Sequence, residues 1–260
     1  FKMEREATYV QEDYYEQMRA LTRYYDEMDE EMIVLKSRMH AILHMSFPEL
    51  EKLITPSSAL FLNIVQLYPH PALVLSHSKT VIKNRLKANT KKNLSLIRAE
   101  KKATELLEAA QNSYPAIKPS DVRCDQVKDY AARIAELKEK KEALVQQMTE
   151  RSKERQEYLV LRSIPGIGDS TACRLIGEIG DIRRFQNAKQ LNAYAGIDIM
   201  RYQSGNTHYR DRINKRGNKH LRKILYFMIQ GMLMLKEKPN HFADYYYKLK
   251  TQPQRKPHKV

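Results

Sequence analysis

Between Met200 and Lys223 the chain reads MRYQSGNTHYRDRINKRGNKHLRK, with eight Lys/Arg, two His and a single Asp. Ser204 stands there on a glycine step, Gln203-Ser204-Gly205-Asn206, just ahead of the basic run. Cations around a hydroxyl lower the cost of bringing a dianionic transition state close and favour an ionised oxygen, so a serine placed there suits phosphoryl chemistry. The same residues are ordinary turn formers. On local chemistry alone Ser204 is a nucleophile or simply a turn residue, and both readings stay open. The surrounding cations Arg201, Arg210, Arg212, Lys215, Arg216 and Lys219 are candidates for phosphate contact.

A second phosphate-binding candidate lies upstream. The string LRSIPGIGDSTACRLIGEIG, Leu161 to Gly180, reads as a helix, a glycine hairpin and a second helix starting near Asp169, a helix-hairpin-helix pattern. Gly166 and Gly168 permit positive φ and close approach, which would let the hairpin aim backbone N–H groups at a DNA phosphate at the start of the following helix. The alternative is that these glycines let two helices pack tightly. The next string, FQNAKQLNAYAGI (Phe185 to Ile197), reads as a core-facing helix closed by Gly196.

These segments need a frame, and the rest of the chain supplies a helical one. From Tyr14 the apolar residues Tyr14, Met18, Leu21, Tyr25, Met28, Met32, Leu35, Met39 and Ile42 fall at alternating four- and three-residue steps, a heptad seam. It predicts a helix of roughly 45 Å, ended near Pro48, that requires a partner helix. Val127, Tyr130, Ile134, Leu137, Leu144 and Met148 form a second seam, with Lys141 interrupting it and Asp121 or Ser120 able to cap its start. Pairing within one chain or across a dimer is left open; an uncovered seam would drive self-association. Between them lies a proline-punctuated helical insertion. Its segment Asn93 to Asn112 has apolar residues at Leu94, Ile97, Leu106, Leu107 and Ala110, with lysines nearby that form a solvated face or touch phosphate.

The chain has 260 residues, 30% of them charged, only 8 Gly and no Trp, a helix-rich composition. Its formal net charge of +15 points to a polyanionic partner. Residues 1–35 are acidic, with ten Asp/Glu against four Lys/Arg, whereas residues 201–260 hold fifteen Lys/Arg and three Asp/Glu. Two cysteines, Cys124 and Cys173, are too few for a disulfide framework and fit a reducing compartment. The absence of a long apolar run predicts a cytoplasmic protein away from membranes. Phe1 in place of an initiator Met suggests that sequence is missing from the front.

The expected fold is all-α. Residues 1–157 form a coiled-coil region of long antiparallel helices (about 12–46 and 121–157) with a helical insertion at about 53–119. A domain containing the helix-hairpin-helix and Ser204 follows at 158–247, and a basic, unstructured tail from Lys248 at 248–260.

IPGIG at 164–168, GEIGDIRRF at 177–185, AYAGI at 193–197, QSG at 203–205 and INKRGNKHLRK at 213–223 together resemble the C-terminal domain of the insertion-sequence transposase family numbered one-hundred-and-ten, related to pilin-gene inverting recombinases. The resemblance departs at Ile199, where many members carry proline. It implies DNA recombination by a mobile element, with Ser204 as the nucleophile matching QSG. It also implies Mg²⁺ held by a RuvC-like acidic domain whose ligands do not lie in this chain, so that the chain alone is inactive. A guide noncoding RNA, a homo-oligomer (dimer or tetramer) and a bacterial, nucleoid-associated location are further implied. A noncatalytic helix-hairpin-helix module for DNA binding and dimerisation is the competing reading.

Overall fold

The computed structural model describes residues 11–56, 58–90, 94–200, 203–204, 207–208, 212–235 and 240–251. The protein is all-α, as expected, with two very short antiparallel ladders added. It divides into two compact units, residues 26–142 and residues 1–25 with 143–260. Helix α1, Asp13–Ser46, gives its first part to one unit and its remainder to the other, as does α7, Val122–Ser152.

In the unit 26–142, α1 and α7 run antiparallel. Asp29 pairs with Lys141, Glu31 with Arg133 (2.9 Å), and Met45 Sδ accepts from Arg123 (3.5 Å). Met28, Met32, Leu35, Met39 and Ile42 of the first seam and Val127, Ile134 and Leu137 of the second are all buried. The seam's need for cover is therefore met inside one chain, which removes the exposed seam as a reason for self-association. Asp121 starts α7 as expected, accepting the backbone N–H of Arg123 at 2.9 Å. The Arg123 guanidinium that grips the same carboxylate holds it down at about 2.

The insertion folds as α2 (Leu50–Leu53), α3 (Ala59–Leu67), α4 (Pro71–Leu75), α5 (Lys79–Asn89) and α6 (Leu96–Gln111). Ser58, Ser78 and Ser95 cap α3, α5 and α6 by accepting an N–H three residues on. Ile97, read as part of the apolar stripe of α6, is 84% exposed. Ala99, Ala103, Leu106 and Ala110 form the buried face instead, because small alanines let α6 sit close on its neighbours.

The other unit contains the opening of α1, the end of α7, and α8 (Gln156–Ser163), α9 (Asp169–Ile179), a 3-10 turn (Ile182–Arg184), α10 (Ala188–Ala195), α11 (Lys219–Met234) and α12 (His241–Thr251). Here too α1 and α7 are antiparallel, with Tyr14 Oη 2.8 Å from Ser152 Oγ and Gln17 bonded to Arg151. Leu175, Ala195, Leu221 and Ile224 make a core joining α9, α10 and α11, with Leu161, Tyr194 and Met228 packed around it. Gly177 is where α9 meets α1: a Cβ there would lie 2.5 Å from Thr22 Oγ1 and 2.6 Å from the Met18 carbonyl. The tail expected to be unstructured from Lys248 is helical through Thr251, as α12 carries on to Lys248 and Lys250 in its last turn, where cations suit the helix dipole.

The segment after α10, whose residues read as turn formers and a basic run, contains strands. Strand β1 (Ile199–Met200) pairs antiparallel with β4 (Arg212–Ile213), and β2 (Gln203–Ser204) with β3 (Thr207–His208). The signal was present: Gly-Asn between residues suited to strands is a two-residue hairpin pattern.

Candidate functional site

Ser204 lies opposite Thr207 on the β2–β3 ladder, with Gly205 and Asn206 between them in sequence. Arg212 pairs with Met200 on the β1–β4 ladder. Arg201 and Arg210 fall outside the described residues. Lys215, Arg216 and Lys219 are exposed where the chain leaves β4 and enters α11. They are thus open to a polyanion.

Two braces hold the base of this hairpin. Gly196 ends α10 in the left-handed region at φ +69, and Gly217 comes so close that a Cβ on it would lie 2.3 Å from Gly196 N. Only glycine fits both places. Arg222 of α11 ties the same point together, donating to the carbonyls of Ala195 (2.8 Å), Gly217 (3.2 Å) and Lys215 (3.2 Å). Asn214 donates its backbone N–H to Asp198 O at 2.8 Å, and its side chain accepts the N–H of Arg216 at 3.2 Å. Arg222 therefore acts on carbonyls, unlike the exposed lysines near it.

Beneath the base lies a buried polar network invisible as a motif. Glu178 has a fully buried side chain forked by Arg23, Nε to Oε1 at 2.6 Å and Nη2 to Oε2 at 2.9 Å. Its Oε2 also accepts from Asn218 Nδ2 at 2.7 Å. Asn218 in turn caps α11, its Oδ1 accepting from His220 N (3.0 Å) and Leu221 N (3.1 Å). Its backbone N–H donates to Tyr194 O at 2.7 Å, and Tyr194 Oη donates to Glu178 O at 3.0 Å. Glu178 of α9 thus ties α1 and the cap of α11 through its carboxylate and α10 through its backbone carbonyl. A charged residue inside the apolar run LIGEIG was the available sequence signal, since Glu is almost never fully buried unless paired.

At the joint between α8 and α9, Gly166 has φ +93 and faces α11: a Cβ there would meet Met232 Cγ at 2.9 Å and Met232 Cα at 3.0 Å. Its glycine serves tight packing. Gly168, expected to use positive φ as well, has φ −88 and is the N-cap of α9, with open space where a Cβ would stand. The turn needs left-handed geometry once only, at Gly166. Asp169, in the first turn of α9, accepts from Arg162 Nε and from Tyr158 Oη, each at 2.7 Å. Burial, then this hydrogen bond to Asp169, raises the Tyr158 phenol. Cys124 and Cys173 are buried, and burial raises both thiols, so neither supplies a thiolate nucleophile.

Among the described residues no helix is long and apolar enough to cross a membrane. Residues 24–190 match the family model described as snoRNA binding domain, fibrillarin. The chain is 37% identical over 73 residues to the transposase for insertion sequence element IS1111A of Coxiella burnetii (strain RSA 493 / Nine Mile phase I), covering 28% of this chain and 20% of that one. It is 43% identical over 68 residues to the pilin gene-inverting proteins of Moraxella bovis and Moraxella lacunata, covering 26% of this chain and 21% of each. The chain spans about a fifth of the length of these curated relatives. Residues 158–247, which include Glu178 and the base of the hairpin, match the family model described as Transposase IS116/IS110/IS902 family.

Proposed function

We propose that this chain is the serine-bearing part of an insertion-sequence transposase in which Ser204 is the nucleophile. The observation that carries the reading is the hairpin itself: Ser204 sits on a ladder whose base is clamped by Arg222 and two close-packed glycines, next to exposed Lys215, Arg216 and Lys219. In the proposed step the Ser204 oxygen forms a bond to a DNA phosphorus as the bond from that phosphorus to a deoxyribose oxygen breaks. The serine proton passes to solvent and the leaving oxygen takes one up, giving a phosphoserine ester and a free DNA hydroxyl. Attack by another DNA hydroxyl reverses the step and rejoins the strands. Nearby cations offset the charge gathering on the phosphoryl oxygens.

Transposases of the matched family suggest a divalent metal, and three carboxylates of this unit are already engaged by other side chains. Glu178 is committed to Arg23 and Asn218, Asp169 to Arg162 and Tyr158, and Asp181 to Arg183 at 2.9 Å. Mg²⁺ bound by acidic residues outside this chain, a guide RNA and assembly of several copies complete the proposed enzyme. Support for RNA is the match of residues 24–190 to a snoRNA-binding family model, together with exposed Arg85 and Lys87 on α5.

The test is Ser204→Ala in the full-length transposase with its RNA, DNA and Mg²⁺. Covalent protein–DNA adducts are expected to vanish while DNA affinity stays near wild type; adducts formed at the wild-type rate refute the assignment. The exposed Lys215, Arg216 and Lys219 also suit a second reading for the chain by itself, which grips DNA without cutting it. Changing Arg210, Arg212, Lys215 and Arg216 together to Ala is then expected to flatten log affinity against log salt by about three to four units, at roughly 0.9 per phosphate contact. An unchanged slope moves the DNA site elsewhere.

A further inference from the structure

In the unit 26–142, His40 and His44 stand one turn apart on α1, and Glu51 of α2 comes against them. His40 Nδ1 is 2.5 Å from Glu51 Oε2, and the two imidazoles meet edge to face with centroids 4.7 Å apart. One ligand atom from each of the three residues lies within 4.8 Å of the others. We propose that His40, His44 and Glu51 form a surface site for a borderline divalent transition metal such as Zn²⁺.

Residues four apart on a helix share a face, so both imidazoles reach one ion. Two imidazoles and a carboxylate suit Zn²⁺, Ni²⁺ or Cu²⁺, whereas Mg²⁺ and Ca²⁺ prefer oxygen ligands. Ligand atoms about 2.0–2.1 Å from a tetrahedral ion are roughly 3.4 Å apart, so these side chains have about 1.4 Å at most to close. His40 and His44 are exposed and can turn to do so. Glu51 is held from behind, since its neighbour Leu50 is completely buried and Phe47, between the helices, is too. Solvent fills the remaining coordination positions. A bound ion would tie the end of α1 to α2 across the turn at Phe47–Glu49.

Isothermal titration of the metal-free chain with Zn²⁺, against the His40→Ala/His44→Ala double variant, tests the site. The wild type is expected to bind one more Zn²⁺ than the double variant, and Glu51→Gln to weaken that one ion. Zn²⁺ should also raise the thermal midpoint of the wild type more than that of the double variant, by mass action on the folded state, with an excess of Mg²⁺ changing neither result. Both histidines are exposed, so the variant keeps the core, and its circular dichroism verifies that. Equal stoichiometry and affinity in the two proteins, or a wild type that binds no Zn²⁺, overturns the proposal.

Discussion

Asn218 offers a sharp test of the buried network because its two ends do different jobs. Its Oδ1 caps α11 and its Nδ2 donates to the buried Glu178 carboxylate. Losing an N-cap acceptor costs about 0.5–2 kcal/mol, and stripping one partner from a buried acceptor costs about 1–3 kcal/mol. Arg23 still forks Glu178 after the change, so the second cost falls at its low end. Asn218→Ala is therefore expected to destabilise by about 2–3 kcal/mol. Urea unfolding followed by circular dichroism should show a midpoint lower by about 1 M for a slope of about 2–3 kcal/mol/M. Asn218→Asp separates the two roles. Asp caps helices as well as Asn does, so capping alone predicts no loss, but the swap puts a carboxylate oxygen where an N–H stood, 2.7 Å from Glu178 Oε2. The introduced carboxyl escapes the repulsion only by holding a proton, which raises its folded-state pKa above the ordinary value of about 4. Its deficit should thus be small at low pH and grow as pH rises, larger at pH 8 than at pH 5. An Asn218→Asp protein as stable as wild type at pH 8 refutes the reasoning.

Two further outcomes rest on the same kind of geometry. Gly166→Ala, which combines φ +93 with a Cβ 2.9 Å from Met232, is expected to cost about 1–3 kcal/mol, while Gly168→Ala, at φ −88 with open space, stays within about 0.5 kcal/mol of wild type; equal thermal midpoints for the two variants would contradict this. Burial, then its hydrogen bond to Glu157, pushes the Tyr15 phenol up to about 12. Its stabilising share is complete below about 10 and is lost as pH rises towards 12, so the stability lost between pH 9 and 11 should shrink in Tyr15→Phe.

The frame of the fold was legible because helices announce themselves by period. Met18 to Ile42 and Val127 to Met148 carry the heptad steps, and most of both seams is buried. What periodicity could not reveal was where the partner comes from, since an a/d stripe looks the same whether its partner is in the same chain or another. Ile97 misled for a related reason: its spacing fits the stripe of α6, but the alanines decide which face can come close. At the site, the turn formers after Ser204 lie outside the described residues, while Asn218 just ahead of α11 is a residue type suited to a cap. The link from Glu178 to Asn218 was not legible, because the two are forty positions apart and only packing brings them together.

That link also explains why several short strings mark this segment. A pair of two-rung ladders is too small to hold its own shape in water, so its base must be gripped from outside. Each string supplies one side of that grip. GEIG puts Gly177 against α1 and Glu178 under Asn218; AYAG brings the Tyr194 carbonyl to Asn218 N and turns at Gly196; KRGN returns Gly217 against Gly196 and starts α11 at Asn218. Arg222 then fastens Ala195 and Gly217 from the first turn of α11. No side chain fits between Gly196 and Gly217, so helices α10 and α11 meet at a single spacing, and the hairpin leaves from that junction. The position of Ser204 is in this sense a property of the packing of α9, α10 and α11, and a substitution at Gly217 or Glu178, remote in sequence from the serine, acts on the same geometry as one beside it.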